Sequence, residues 1–423
     1  MSRGRFVACT ALLGTAIVAG ASTADQARDL WPGVLHEHPR IQYAARPTTD
    51  RVAKLSLALA RGERSLTLDP RTGYLRSALD ALDIPIASQL LVFSKTGVQR
   101  DYTSPRTPRA LYFDASVAVG YVPGAPMIEI AAHDPQQGVV FYVLDQTADA
   151  PSLTRRTSCL GCHVSAGTLE IPGLLARSHV VDDHGDVLPQ QATLDVSHQT
   201  PHTDRWGGWF VTSNGAPPPY SQRAHEGNIT FSAGGVTSNQ VFVDWNGSSP
   251  ETRGYLSASS DITALLLFDH QVRAINLLTR VNWEWRVAFD RDAATIPSGP
   301  LLDFVNELAD YLLFVGEVPP SAPLTPSPAL AAYLAARAPA DRLGRSCGQI
   351  DLVNRLLRYP CSYMVYAEAF DALPPIVKQT VYRRMIDTLS TQDPHARSSR
   401  PSADDRRVVL EILRATKADF PRA

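Results

Sequence analysis

Residues 111–144 read LYFDASVAVGYVPGAPMIEIAAHDPQQGVVFYVL, and this stretch decides the fold of the first half of the chain. Val, Ile, Tyr and Phe, the residue types enriched in strands, are concentrated in three runs, at 111–122, 127–132 and 138–144. Turn-forming residues separate the runs at 124–126 and at 134–138. Short strands joined by short turns predict an antiparallel meander, to which the run at 90–93 adds a further strand.

Outside the meander, apolar residues recur at helical spacing. Residues 49–61 predict an early helix, and Ser260-Asp261 is a plausible cap for one long amphipathic helix. Further helical stretches follow at 300–316, 327–337, 350–357, 373–389 and 403–416. The prediction is therefore an α+β fold, in which an antiparallel β-rich N-terminal half and a loop-rich segment precede a helical C-terminal half.

At roughly 150 residues per domain, a chain of 423 residues predicts two or three domains. The changes of pattern divide it into a signal peptide and three regions. These are the signal peptide at 1–24, a mixed α/β region at 25–150, a loop-rich region at 151–258 and a helical region at 259–423.

The N-terminus has the features of an export signal. Arg3 and Arg5 precede an apolar stretch at 6–21, and Ser22-Thr23-Ala24 supplies small residues for cleavage before Asp25. The apolar run of about 15 residues is short for a membrane span, which needs roughly 20. We expect a periplasmic or secreted protein with no stable span after cleavage, the alternative being an uncleaved anchor.

The charge balance argues against nucleic acid as a partner. The chain has 40 basic and 42 acidic residues, a formal net charge of -2, and no basic tract stands out. A nucleic-acid-binding protein needs a positive face.

Cys159-Leu160-Gly161-Cys162-His163 has the C-x-x-C-H pattern that attaches a c-type haem. Two thiols at this spacing can each form a thioether with a porphyrin vinyl group, and His163 is then held as the proximal iron ligand. The pattern predicts one covalently bound haem c. Arg155 and Arg156 could pair with the haem propionates, although a solvated pair of charges is the simpler interpretation.

C-x-x-C has two other interpretations. A thioredoxin-type redox site needs a strand leading into the first cysteine, and Arg155-Arg156-Thr157-Ser158 does not suggest one. A zinc site needs a second ligand pair, whereas thirteen residues separate Cys347 from Cys361. The adjacent histidine and the export signal favour haem.

A six-coordinate haem needs a second axial ligand. After removal of the signal, the methionines are Met127, Met364 and Met385, and none follows His163 closely. We therefore expect a histidine, with His198 first and His270 second, while His225 is a third candidate.

Cys347 and Cys361 could form a disulfide in an oxidising compartment. Closing a loop of 15 residues would contribute about 3 kcal/mol in the chain-entropy model. Two buried thiols are the alternative, and the residues alone leave the choice open.

Several stretches resemble bacterial exported proteins described as cytochrome c domain-containing, which carry one haem motif each. Besides the motif at 159–163, the resemblance includes residues 88–96, 104–110, 205–209, 269–271 and 359–363. It covers nearly all of the mature chain and implies haem binding and electron transfer, but it supplies no substrate. Cys347 does not belong to the pattern, which weakens the disulfide hypothesis.

The favoured function is an exported c-type cytochrome that exchanges electrons with redox partner proteins. The alternative is a haem-dependent oxidoreductase, peroxidase-like or active on nitrogen oxides, with an open distal site. A haem-based sensor or a scaffold in a redox complex is a third possibility. A carrier needs about 100 residues to wrap one haem, and this chain is about four times as long.

Overall fold

The computed structural model describes most of the chain from residue 35 onward. The described ranges are 35–147, 151–191, 193–212, 225–226, 231–232, 235–236, 254–289, 295–320, 323–390 and 401–422. The predicted signal peptide at 1–24 lies outside them.

An antiparallel sheet occupies the first half of the chain. Seven of its strands lie before residue 212, and a two-residue strand extends one edge. The strands are β1 (Leu90–Val92), β2 (Arg109–Phe113), β3 (Val117–Tyr121), β4 (Met127–Asp134), β5 (Gly138–Asp145), β6 (Leu153–Arg155), β9 (Trp209–Val211) and β10 (His225–Glu226). Their order across the sheet is β10-β9-β1-β2-β3-β4-β5-β6. Two small ribbons pair β7 (Arg177–Ser178) with β8 (Leu194–Asp195), and β11 (Phe231–Ser232) with β12 (Gly235–Val236).

The α+β class and the meander are confirmed, with one difference inside residues 111–144. Residues 111–122, predicted as one strand, form the end of β2, a tight turn and β3. Oδ1 of Asp114 accepts hydrogen bonds from the backbone N–H groups of Ser116 (2.9 Å) and Val117 (2.8 Å), which reverses the chain. Asp and Ser favour turns by such side-chain-to-backbone bonds.

The nine α-helices of the described residues lie mostly in the second half. They are α1 (Arg51–Ala60), α2 (Leu75–Ala81), α3 (Leu160–His163), α4 (Ile262–Ala288), α5 (Gly299–Leu312), α6 (Pro328–Ala335), α7 (Glu368–Asp371), α8 (Pro375–Ser390) and α9 (Ala403–Thr416). The early helix is confirmed, with Asp50 capping α1 through the N–H groups of Val52 and Ala53. The helix predicted at 350–357 is wrong, because a bridge pairs Ile350 with Leu357 there.

The two faces of the sheet have different coverings, since successive side chains of a strand point to opposite sides. One face, which includes Tyr112 and Ile130, packs in a core with α1 and α2. The other face, which includes Phe113 and Val139, packs against α4. Where α4 leaves this second face uncovered, a cavity remains.

Helix α4 differs from its prediction as an amphipathic helix. Most of its residues are buried on every side, including the polar Asp269, His270 and Asn276. The cap is as predicted, because Asp261 accepts from the N–H of Thr263 at 2.7 Å. A helix buried all round belongs to the centre of a protein, and α4 lies between the sheet and the other C-terminal helices.

The sheet also crosses the predicted boundary at residue 150. Strands β6 and β9 belong to the region predicted as loop-rich, yet they pair with β5 and β1. The described residues contain no helix long and apolar enough to cross a membrane.

Cys347 and Cys361 are adjacent, fully buried free thiols. Burial and a hydrogen bond with Cys347 raise the pKa of Cys361 well above its ordinary value. The structure therefore contains the buried-thiol alternative, with the two sulfurs as neighbours.

Candidate functional site

The C-x-x-C-H motif forms one short helix beside the uncovered sheet face. Backbone N–H groups of Cys162 and His163 both donate to the carbonyl of Cys159, at 3.2 and 3.0 Å. Cys159 is half-buried and Cys162 is exposed. Both cysteines and His163 line a single cavity of about 500 Å³, a size within the range of ligand pockets, about 300–1,000 Å³.

The sheet supplies one wall of this cavity. Ala118, Gly120 and Ala131 lie on the cavity face of β3 and β4, and these small residues keep the middle of the wall open. Larger apolar side chains from β1, β5, β9 and α4 surround them, namely Val92, Phe141, Trp209 and Phe268. The result is a mainly apolar space beside two thiols and an imidazole.

His163 is held in a fixed orientation. Its Nδ1 donates to the carbonyl oxygen of Gly173 at 2.8 Å, and its backbone carbonyl accepts from the N–H of Gly173 at 3.0 Å. The ring packs against Phe141, with centroids 4.6 Å apart. Since Nδ1 carries the proton, Nε2 has the lone pair that can bind a metal, an arrangement common among metal-binding histidines.

The segment that holds His163 is itself clamped by α4. The side chain of Asn276 accepts from the N–H of Leu174 at 3.0 Å and donates to its carbonyl at 2.8 Å. A Cβ at position 173 would lie 2.5 Å from Oδ1 of Asn276, so only glycine fits there. Asn276 is thus a positioning residue for His163, acting through Leu174 and Gly173.

We expect Asn276→Ala to lower the free energy of unfolding by about 2 to 4 kcal/mol, because two buried backbone groups of Leu174 lose their partners. Denaturant unfolding measures this loss. Asn354→Ala is the matched control, because Asn354 is exposed, and it should change the free energy by less than about 0.5 kcal/mol. An equal effect of both variants would contradict the clamp.

Several charged side chains line the cavity. On the sheet wall, Nη1 of Arg109 lies 3.5 Å from Oε2 of Glu129. Nε of Arg177 lies 2.8 Å from Oδ1 of Asp195. Arg156 is exposed at the edge of the cavity. Burial lowers the pKa of His163 and the hydrogen bond to Gly173 raises it, while the charges of Arg109 and Arg177 lower it and that of Glu129 raises it.

Arg155, the other arginine suggested for propionate binding, faces elsewhere. Its guanidinium donates to backbone carbonyls of Tyr43 and Arg46 and lies over the Tyr43 ring. Of the two adjacent arginines, only Arg156 lines the cavity.

No protein-family model, curated protein or solved structure matches this chain. The resemblance to exported cytochrome c domain-containing proteins therefore stays a prediction. Within the described ranges, no cluster of three or more His, Cys, Asp or Glu side chains could hold a bare metal ion.

The structure does not bring His198 or His270 to the motif. Their Nδ1 atoms lie 2.8 Å apart, and Nε2 of His270 lies 2.7 Å from Oγ of Ser362. Both rings are buried among Tyr311 and Phe314. Neither histidine lines the cavity, so the expectation that His198 is the distal ligand finds no support here. The side chain of His225 lies outside the described residues.

Two other potential axial ligands do line the cavity, and sequence reasoning missed both. Met127 is the first residue of β4, and His179 follows β7. Met127 was set aside because it precedes the motif, but the pairing of β4 with β5 brings it to the same wall as Phe141. The apolar alternation of β4, which places Met127 and Glu129 on one face, was the available signal.

Proposed function

We propose that this protein is an exported c-type cytochrome that binds one haem covalently and exchanges electrons with redox partner proteins. The observation that carries the proposal is the shared cavity of Cys159, Cys162 and His163, in which Nδ1 of His163 donates to Gly173 and leaves Nε2 available. This donor set is the one that a c-type haem uses, namely two thiols and an imidazole.

The remaining residues of the cavity fit the group. The small side chains on β3 and β4 leave room for a flat macrocycle, and the apolar walls exclude water from it. Arg156, which is exposed at the edge of the cavity, supplies a guanidinium group that can pair with a propionate bidentately. Cys159 and Cys162 would hold the porphyrin, and His163 would bind the iron.

When bound, a haem takes up and releases one electron. The chain's own contribution is to orient the imidazole through Gly173, to anchor Gly173 through Asn276, and to shield the site with Phe141 and Trp209. Exposure of Cys162 places the motif at the protein surface, where a partner protein can approach.

The test is extraction of the isolated protein with acid acetone, followed by a pyridine haemochrome spectrum. We expect haem to remain attached, in a ratio of one per chain. A chain expressed without residues 1–24 is the control and should lack haem, because attachment follows export. Loss of haem from the exported protein on extraction would contradict covalent attachment, and holo-protein in the cytoplasm would contradict the link with export.

We further propose that Met127 would bind the haem iron together with His163, in place of the two-histidine arrangement expected from the sequence. Met127 is half-buried and lies on the same face of β4 as Glu129 and Ala131, and all three line the cavity. His179 is buried, and its Nδ1 forms a hydrogen bond with Oγ1 of Thr193 at 3.1 Å. We therefore prefer Met127, whose side chain is the less buried of the two.

The oxidised wild type is expected to show a near-infrared sulfur-to-iron band that Met127→Leu abolishes. The variant should also have a lower reduction potential, because a methionine ligand raises the potential. Met364→Leu is the matched control, since Met364 is buried in the core away from the cavity. A band that survives in Met127→Leu, or that is lost only in His179→Gln, would contradict the assignment.

A haem-dependent oxidoreductase is the second candidate, and the Arg109–Glu129 pair favours it. An arginine and a carboxylate on an otherwise apolar wall could bind a small anion and transfer a proton. High-spin bands that shift with cyanide would favour this enzyme, whereas low-spin bands that ignore added ligands would favour the carrier.

A further inference from the structure

A second cavity lies on the other side of the aromatic wall of the first. It has a volume of about 290 Å³ and forms where the β2–β3 turn, α4, α6 and the turn at Tyr363–Tyr366 meet. Rings of Phe113, Tyr333, Tyr363 and Tyr366 line it. Its volume is just below the range for drug-sized ligands, about 300–1,000 Å³, which suits a smaller ligand of one or two rings.

One pair of phenylalanines separates the two cavities. Phe113 lines the second cavity and Phe268 lines the first, and their ring centroids are 5.0 Å apart at an interplanar angle of 60°. Trp209 also lines the first cavity, and the centroid of its ring lies 6.2 Å from the ring centroid of Phe268. A ligand against Phe113 would therefore be one aromatic contact away from the side chains that enclose the motif.

The charged groups around the second cavity already have partners. Asp114 forms an ion pair with Arg51, and Arg337 forms one with Asp83 while its guanidinium lies over the Tyr333 ring. A charged ligand would have to compete with these pairs or be buried without compensation, which is unfavourable. The cavity is therefore suited to a neutral molecule.

The polar atoms at the wall favour a hydroxyl group on that molecule. The hydroxyl of Tyr363 donates to Oε1 of Gln271 at 3.1 Å, and both residues line the cavity. Hydroxyl oxygens keep acceptor capacity after donating one bond. Aromatic faces with a few orienting polar groups are the usual composition of a small-molecule site.

We propose that this second cavity binds a small neutral aromatic molecule of the phenol class. The rings of Phe113 and the three tyrosines pack against the ligand ring, and a tyrosine hydroxyl accepts from its O–H group. Binding stands on the cavity itself, whereas its position beside a redox centre rests on the proposed function.

Calorimetric titration of the isolated full-length protein with phenol and with 2-naphthol tests the site. We expect saturable binding of one molecule per chain, with cyclohexanol and benzoate binding at least tenfold more weakly. Equal binding of cyclohexanol would overturn the aromatic preference, and equal binding of benzoate would overturn the preference for a neutral ligand. Lack of saturable binding by both aromatic probes would overturn the site.

Filling the cavity tests its location. Ala115→Trp and Ala367→Phe each add a ring at a residue that lines the cavity, and each should weaken binding at least tenfold. Ala60→Trp, at the exposed end of α1, is the matched control and should bind as the wild type does. Binding retained in a folded Ala115→Trp or Ala367→Phe variant would overturn the assignment. Calorimetry detects phenol whether or not haem is attached, so absence of haem would contradict the proposed function alone.

Discussion

Replacement of both motif cysteines, Cys159→Ala with Cys162→Ala, should abolish covalent haem completely. Each thiol supplies one thioether, so the double variant has no atom with which to retain the porphyrin after denaturation. The measurement is the haem content per chain after acid-acetone extraction. Because both cysteines lie at the surface of the cavity and neither is buried, we expect the polypeptide itself to fold.

The two remaining cysteines offer a matched control. Cys347→Ala with Cys361→Ala removes the same number of thiols from a buried site away from the cavity, and this variant should keep one haem per chain. Each single motif variant should keep one thioether. Equal haem content in the two double variants would exclude attachment through Cys159 and Cys162.

Arg205→Leu should lower the free energy of unfolding by about 3–5 kcal/mol at pH 8, because Asp269 must then either stay ionised without a partner or take up a proton at a cost in free energy. Arg205 and Asp269 are almost fully buried, and Nη1 of Arg205 lies 3.4 Å from Oδ2 of Asp269. Arg205 also donates to the carbonyls of His198 and Thr200. Denaturant unfolding of both proteins measures the difference.

The pH dependence of this loss separates charge from packing. Burial raises the pKa of Asp269 to about 7, although Arg205 and Trp206 lower it. Removing the guanidinium raises the pKa of Asp269 further. At pH 5 the carboxyl is therefore neutral in both folded proteins, whereas just above pH 7 it is ionised only in the wild type. A protein loses stability with rising pH wherever its folded state keeps a proton that the unfolded state has released. The Arg205→Leu variant keeps the Asp269 proton to a higher pH than the wild type does. Its loss of stability relative to the wild type should therefore be smaller at pH 5 than at pH 8.

Two further variants complete this test. Arg205→Leu combined with Asp269→Asn should recover part of the stability at pH 8, since no carboxylate is then left unpaired. Arg407→Leu is the surface control, because Arg407 is 59% exposed in its ion pairs, and it should cost less than about 1 kcal/mol. A loss from Arg205→Leu that does not change between pH 5 and pH 8 would contradict the electrostatic explanation.

The fold class and the long elements could be predicted from the sequence because their signals are local. The alternation of β4 and β5 and the helical spacing of α8 and α9 each repeat over many residues. The turn inside 111–122 was missed because Asp114 and Ser116 interrupt the strand pattern for only three residues. The helix predicted at 350–357 failed because apolar residues were also suited to the bridge between Ile350 and Leu357.

The candidate site could be predicted only where its residues are contiguous. The spacing that identifies the motif lies within residues 159–163. Cys159, Cys162 and His163 could therefore be predicted as site residues without any knowledge of the tertiary structure. Met127 and Asn276 come from distant parts of the chain, and strand pairing and the burial of α4 bring them to the site. The separation of His198 from His163 along the sequence favoured it as an iron ligand. Its actual neighbours are set by packing against His270 on α4.

Helix α4 has a consequence for any attempt to divide this protein. This single helix of 27 residues contributes to four separate features. Phe268 lines the first cavity and Gln271 lines the second. Asp269 belongs to the buried ion pair, and Asn276 binds the loop that holds His163. A fragment ending before residue 262 would lack the clamp and half of the core. The geometry of the motif therefore depends on this helix, and moving the motif into another protein scaffold would require moving the helix as well.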